Sequence, residues 1–143
     1  MSMKLIFQLF ILIFLLTSCG YRSLEDFRED GEWTTRELIA ELQSVHDREE
    51  LIKKLPKLKK LFNELSDIMI AARQYQEKHP SEEEPPFTKR QQATSERLRQ
   101  ELNRIYLIDE GRELIEKAED EALNKLDAFE RTLLRRRQGL LAE

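Results

Sequence analysis

Two histidines, His46 and His79, and several neighbouring acidic side chains are the residues whose types could support metal binding or catalysis. A metal site needs convergent ligands, yet the sequence contains neither a His-x-x-x-His nor a Glu-x-x-His pattern. A nucleophilic serine would need a Gly-x-Ser-x-Gly turn, which is also absent. Pairs of adjacent acidic residues, such as Asp120 and Glu121, fall on surfaces predicted to be solvated. Acid–base catalysis requires carboxylates that are buried or closely coupled. We therefore expect no catalytic residue, no metal and no cofactor.

The single cysteine, Cys19, directly follows an apolar segment, and it excludes a disulfide framework within one chain. Residues 5–16 are apolar except for Gln8, and Lys4 precedes them. Twelve helical residues span about 18 Å, whereas a bilayer core of about 30 Å needs about 20 residues. The segment is therefore too short for a comfortable membrane span and is typical of a secretory signal peptide.

The sequence Leu-Thr-Ser-Cys at Leu16–Cys19 resembles the lipobox of bacterial lipoproteins, and all four positions match. The resemblance implies that residues 1–18 are cleaved off and that Cys19 becomes an N-palmitoyl, S-diacylglycerol cysteine. It covers residues 1–20 alone, and the remainder resembles no family that we recognise. The alternative is a retained hydrophobic helix with a buried cysteine. A single myristoyl chain binds a membrane only reversibly, whereas two or three longer acyl chains would make release negligible.

Gly20 and the charge balance bear on which membrane holds the chain and how. In Gram-negative lipoproteins, aspartate after the cysteine commonly causes retention at the inner membrane. By this resemblance glycine permits export, so we expect the periplasmic face of the outer membrane, with the inner membrane as the alternative. Removing residues 1–18 takes away Lys4 and no acidic residue, which lowers the formal net charge from −4 to −5. We therefore expect the lipid rather than charge to hold the protein at the membrane. The acidic balance also argues against nucleic acid as a partner.

A cluster of lysines between positions 53 and 60 is the strongest local concentration of charge. Lys53, Lys57 and Lys60 share one helical face. They form either a contact for anionic lipid or for an acidic partner, or an ordinary solvated face opposite an apolar stripe.

The length of 143 residues favours one domain, and the low glycine and proline content favours helices. We predict an all-α protein with a signal peptide at 1–18 and a lipidated flexible tether at 19–32. A helical domain at 33–138 and a tail at 139–143 follow.

Capping patterns predict where the helices begin. Thr34 with Glu37 has capping-box spacing, and Trp33 with Leu38 has the spacing of a hydrophobic staple, so the first helix is predicted to begin at Thr34. Asp47 repeats the capping pattern for a second helix.

Prolines predict where the second helix is disturbed and where it ends. Pro56 should kink the helix or start a new one. Three prolines and three glutamates predict an exposed loop at 79–87, after which Thr88 can cap a third helix.

The third helix is predicted from about Lys89 to Arg137, with Gly111 as a point where it bends or breaks. If unbroken, it is about 73 Å long, and the earlier helices sum to about 65 Å. We prefer an elongated helical hairpin. A break at Gly111 would instead give a three- to four-helix bundle.

These observations predict a non-enzymatic, membrane-anchored lipoprotein whose periplasmic body is a scaffold or binds a protein of the cell envelope. The alternative is a carrier or chaperone for an apolar ligand or an outer-membrane client, with Phe62, Met69, Tyr75 and Phe129 lining a groove. A cell-envelope enzyme is a third hypothesis.

Overall fold

The computed structural model describes residues 22–140, and within that range the chain forms four α-helices and no strand. Helix α1 spans Leu24–Gln43, α2 spans Arg48–Lys78, α3 spans Lys89–Ile105 and α4 spans Gly111–Leu140. The predicted all-α class is confirmed. The predicted signal peptide, Cys19 and most of the predicted C-terminal tail lie outside the described residues.

Helix α1 begins ten residues before the predicted start. The Ser23 hydroxyl accepts a hydrogen bond from the Asp26 amide at 3.2 Å, and the Asp26 carboxylate accepts one from the Ser23 amide at 2.7 Å. Inside the helix, the Thr34 hydroxyl donates to the Asp30 carbonyl at 3.0 Å and caps nothing. The predictions of a tether over the whole of 19–32 and of a helix start at Thr34 are therefore wrong. Trp33 is 61% exposed and is not a staple.

Helix α2 begins as predicted, because the Asp47 carboxylate accepts from the Glu50 amide at 2.8 Å. The helix continues through Pro56, so the predicted fresh start at this proline is wrong. Proline lacks the N–H that would bond the carbonyl at position 52. Ile52 is exposed, so water can replace that bond.

The connection between α2 and α3 is the exposed loop that the sequence predicted, and residues 79–88 have no regular structure. Thr88 caps α3 as predicted, since its hydroxyl accepts from the Gln91 amide at 3.2 Å and the Gln91 side chain accepts from the Thr88 amide at 2.9 Å.

The predicted third helix is broken, and the structure has α3 and α4 in its place. The chain turns between Ile105 and Gly111, where Glu110 has a positive φ of 54°. A Cβ atom on Gly111 would lie 2.0 Å from the Ile105 carbonyl oxygen, so only glycine fits this turn. The preferred elongated hairpin is therefore wrong, and the four-helix alternative describes the chain.

The helices alternate in direction along the chain. Glu41 of α1 pairs with Lys54 near one end of α2, while Phe27 contacts Tyr75 near the other, so α1 and α2 are antiparallel. We call the end with Ser23, the last turn of α2 and loop 79–88 the Ser23 end. The opposite end, with residues 44–47 and 106–110, is the Val45 end.

Each helix of the α1–α2 hairpin carries one further helix. Helix α3 packs along α1 and α4 packs along α2, whereas α3 and α4 share no substantial interface outside their connecting turn. Both pairs are parallel. The core consists mainly of leucine, isoleucine and alanine side chains from all four helices, with Phe62 and Val45 among them. Its buried members are Leu38, Leu42, Val45, Leu51, Leu58, Leu61, Phe62, Ile105, Ile115, Ala118 and Ala122.

Candidate functional site

An open groove of about 390 Å³ lies at the Ser23 end, bounded by α1, α2, the start of α3 and loop 79–88. We call it the Phe87 groove. It exists because α1 packs against both α2 and α3, so that the flanking helices form walls above one face of α1.

Apolar side chains cover most of the Phe87 groove. Leu24 and Phe27 enter from the first turns of α1, and three of its apolar residues are Leu65, Ile68 and Ala72 of α2. Two further apolar side chains remain open to solvent, Phe87 with 61% of its surface exposed and Met69 with 57%. Exposed apolar side chains beside a concave surface are typical of a binding site.

A buried carboxylate lies at one edge of the groove. The Glu32 side chain is only 5% exposed, and Arg90 of α3 contacts both of its oxygens at 2.9 Å. Arg36 adds a third contact at 2.6 Å. Both carboxylate oxygens are therefore paired, and Glu32 joins α1 to α3 through Arg90.

Arg28 holds the loop against α1 on another side of the groove. Its guanidinium contacts Glu84 at 3.0 Å, donates to the Pro85 carbonyl, and lies 4.7 Å from the centre of the Phe87 ring. The Arg28 side chain is only 12% exposed. The loop is therefore fastened beside the groove at several points, which include a bond from the Leu24 amide to Glu82 at 3.1 Å.

Of the four side chains predicted to line an apolar groove, only Met69 does so. Phe62 is buried in the core. Tyr75 contacts Phe27 at 5.6 Å between ring centres and stacks on His79 at 4.0 Å. Phe129 lies on α4, away from the groove.

The predicted lysine face lies towards the Val45 end. Lys53 and Lys60 are exposed and Lys57 is partly buried, and Lys60 is 3.4 Å from Glu64 of its own helix. Two lysines outside that face pair across helices. Lys54 pairs with Glu41 at 2.7 Å, and Lys59 pairs with Glu121 at 2.8 Å, which raises the pKa of Lys59.

The two histidines lie at opposite ends of the bundle, so they cannot share a metal ion. His46 contacts Glu50 at 3.2 Å, and His79 stacks on Tyr75. Within residues 22–140, no three histidine, cysteine or acidic side chains are grouped to hold a metal. No helix in this range is long and apolar enough to span a bilayer.

Cys19, the predicted lipidation site, lies outside the described residues, but the observed start of α1 limits its distance from the fold. Only residues 20–22 separate the cysteine from the Ser23 cap, and the four residue steps from 19 to 23 reach at most about 14 Å. The Phe87 groove is therefore at the end of the bundle nearest to Cys19.

Two features of this site were missed in the sequence. The pattern Ser23-x-x-Asp26 could have marked the start of α1, because aspartate replaces the usual glutamate of a capping box without loss of the bond. The contact of Arg28 with the loop has no local signal, since its partners lie 56 and 57 residues away.

Comparisons with known proteins identify no relative. No protein-family model matches the chain, and neither a curated protein nor a solved structure shows significant similarity to it.

Proposed function

We propose that this protein is a bacterial lipoprotein, anchored through Cys19 to the periplasmic face of the outer membrane. Its helical body binds a protein of the cell envelope and performs no catalysis. Support for the anchor comes from the lipobox resemblance of Leu16–Cys19.

The observation that carries the binding role is the Phe87 groove. It presents exposed Phe87 and Met69 beside a concave apolar surface. Two of the charged groups around it are already paired, Glu32 with Arg90 and Arg28 with Glu84. An apolar surface with a paired polar edge is suited to bury a partner's apolar side chain.

Site-directed crosslinking in the intact cell tests the groove. A photoreactive amino acid replaces Phe87 or, in a second variant, Met69, and the matched control carries it at Leu123, which is 54% exposed on α4. We expect both groove positions to capture the same envelope protein and Leu123 to capture none of it. Identical capture from all three positions, or none from the groove, would contradict the proposal.

Cys19→Ala tests the anchor separately. The expected result is that the wild-type chain incorporates labelled palmitate and sediments with membranes, whereas the variant does neither. A variant that remains fully membrane-bound, together with a wild-type mass that lacks lipid, would remove the anchor from the proposal.

The volume of the Phe87 groove also favours the second candidate, a carrier for an apolar ligand. About 390 Å³ is within the range of small-molecule pockets. If the groove carries such a ligand, an environment-sensitive apolar dye should bind the purified protein, and Met69→Glu should abolish its fluorescence increase. The carrier role is rejected if the dye gives no increase with the wild-type protein.

A further inference from the structure

Helix α4 brings a run of arginines to the Ser23 end. Its parallel course along α2 is marked by Lys59 with Glu121 at 2.8 Å and by Asp67 with Lys125 at 2.6 Å. From Lys125 to Arg137 the helix advances about 18 Å, and from Asp67 to the end of α2 about 16 Å. Leu133 is 3% exposed, so α4 remains packed at this level. Arg137 therefore lies level with the end of α2.

These arginines are open to solvent. Arg135, Arg136 and Arg137 are exposed, and among residues 22–140 none of them forms an ion pair. Arg131, one turn earlier, lies 3.8 Å from Asp127, a long contact between two side chains that are each about 70% exposed. Cations in the last turn of a helix interact favourably with its dipole, but that interaction leaves most of their charge available to a partner.

We propose that Arg131 and Arg135–Arg137 bind anionic phospholipid headgroups of the bilayer that holds Cys19. This inference rests on the proposed lipid anchor. The link of residues 19–22 keeps the Ser23 end within about 14 Å of the lipidated cysteine. A guanidinium group binds phosphate oxygens in a two-point geometry, so arginine suits this surface.

The proposed contact orients the body and does not attach it. Acidic side chains also occupy the Ser23 end, among them Glu82, Glu83 and Glu84 of the loop and Glu29 of α1, and the mature chain is negative overall. An anionic membrane surface repels the side with α1 and the loop and attracts the side with α4. We therefore infer that the bundle leans with the end of α4 towards the membrane.

The lysine face of α2 provides a matched control. Measured along α1, Lys53, Lys57 and Lys60 lie roughly 18–28 Å from Ser23. The Debye length at physiological salt is about 8 Å, so these lysines are screened from the bilayer at the Ser23 end. Replacing these three lysines removes three positive charges, as replacing Arg135–Arg137 does, but at a site farther from the proposed bilayer.

The experiment uses the full-length lipidated protein in vesicles of phosphatidylcholine, alone or mixed with phosphatidylglycerol. A fluorescent donor is attached at Gln138→Cys, an exposed site on α4, and the acceptor is on lipid headgroups. We expect stronger energy transfer in the anionic vesicles. Combined Arg135→Gln, Arg136→Gln and Arg137→Gln should abolish that difference, whereas combined Lys53→Gln, Lys57→Gln and Lys60→Gln should retain it.

The outcomes separate the two proposals. If the wild-type protein fails to float with neutral vesicles, the lipid anchor has failed, and the arginine contact fails with it. If it floats but transfers energy equally in both kinds of vesicle, the anchor stands and the arginine contact is overturned. An equal loss in the lysine variant would also overturn it, because the effect would then depend on total charge.

Discussion

Arg104 of α3 bonds the chain around the end of α1, at the Val45 end of the bundle. It donates to the Leu42 carbonyl in the last turn of α1 at 2.7 Å, to the Val45 carbonyl just after that helix at 2.8 Å, and to Glu101 at 2.9 Å. Arg104→Ala should lower the free energy of unfolding by about 2 kcal/mol, because two helix-end carbonyls lose a charged donor. Denaturant unfolding measures this change.

Arg104→Lys should recover little of that stability, since one ammonium group cannot serve both carbonyls and a carboxylate in a fork. Arg99→Ala is the control, because Arg99 is exposed and pairs only with Glu96 of its own helix. Equal losses in the Arg104 and Arg99 variants would show that the fork contributes nothing beyond its charge.

Glu101 makes stability depend on acid pH. Its hydrogen bond with Arg104, reinforced by Gln43 at 3.3 Å, lowers the pKa of Glu101 below the ordinary value of 4.5. A carboxylate with a lowered folded-state pKa stabilises the fold above its unfolded pKa, and this contribution is lost as the pH falls through the folded value. In acid titrations of unfolding, the wild type should lose stability below about pH 4.5 more steeply than Glu101→Gln. If stability fell with pH equally in the wild type and in Glu101→Gln, the lowered pKa of Glu101 would not be the cause.

Two glycines within the helices should respond to alanine in opposite ways. Gly31 lies inside α1, and a Cβ there would meet the Ile68 side chain at an ordinary 3.9 Å. Gly31→Ala should therefore raise the free energy of unfolding by about 0.5–1 kcal/mol. Gly111→Ala should lower it by more than that, since the new methyl would lie 2.0 Å from a carbonyl oxygen.

Thermal unfolding of both variants beside the wild type gives the comparison. Gly139→Ala, in the last turn of α4, is the reference for helix propensity without packing, because a Cβ at that position would have no neighbour within 4 Å. Stabilisation by Gly111→Ala would mean that the turn between α3 and α4 relaxes without cost.

Local chemistry was enough to predict some elements. Asp47 and Thr88 were identified as caps because a cap bonds an amide three residues away. The sequence marks Gly111 as the position of a bend or break but does not say which of the two occurs. That depends on the close approach of the Ile105 carbonyl to the glycine, which is a feature of the folded turn. The sequence left open whether Pro56 kinks α2 or starts a new helix, and the helix continues through it because the penalty of proline is reduced where water can reach the freed carbonyl.

The candidate site was less accessible to sequence reasoning. The Phe87 groove depends on α2 and α3 both lying beside α1, and nothing in the hydrophobic pattern states which helices are neighbours. Phe87 itself follows two prolines and lies in no periodic stripe, so its exposure beside Arg28 appears only in the folded chain.

At the scale of the whole molecule, stability should be uneven along α4. From residue 123 to 139, Leu133 is the only buried side chain, whereas the first part of α4 buries Ile115, Ala118 and Ala122 in the core. Segments with few buried contacts open at lower free energy. Native-state hydrogen exchange should show weaker amide protection in the second half of α4 than in α1. Uniform protection would mean that the helix opens only with the whole fold.

The way each hairpin helix carries one further helix has a consequence for how the chain reaches its native state. Helices α1 and α2 are joined by only four residues, so their pairing closes a short loop and can form early. Helices α3 and α4 have almost nothing to bury against each other and must wait for that template. Transition-state mapping should accordingly find its high φ-values in the first two helices, and a fragment of residues 89–140 should be a coil until residues 22–78 are added in trans.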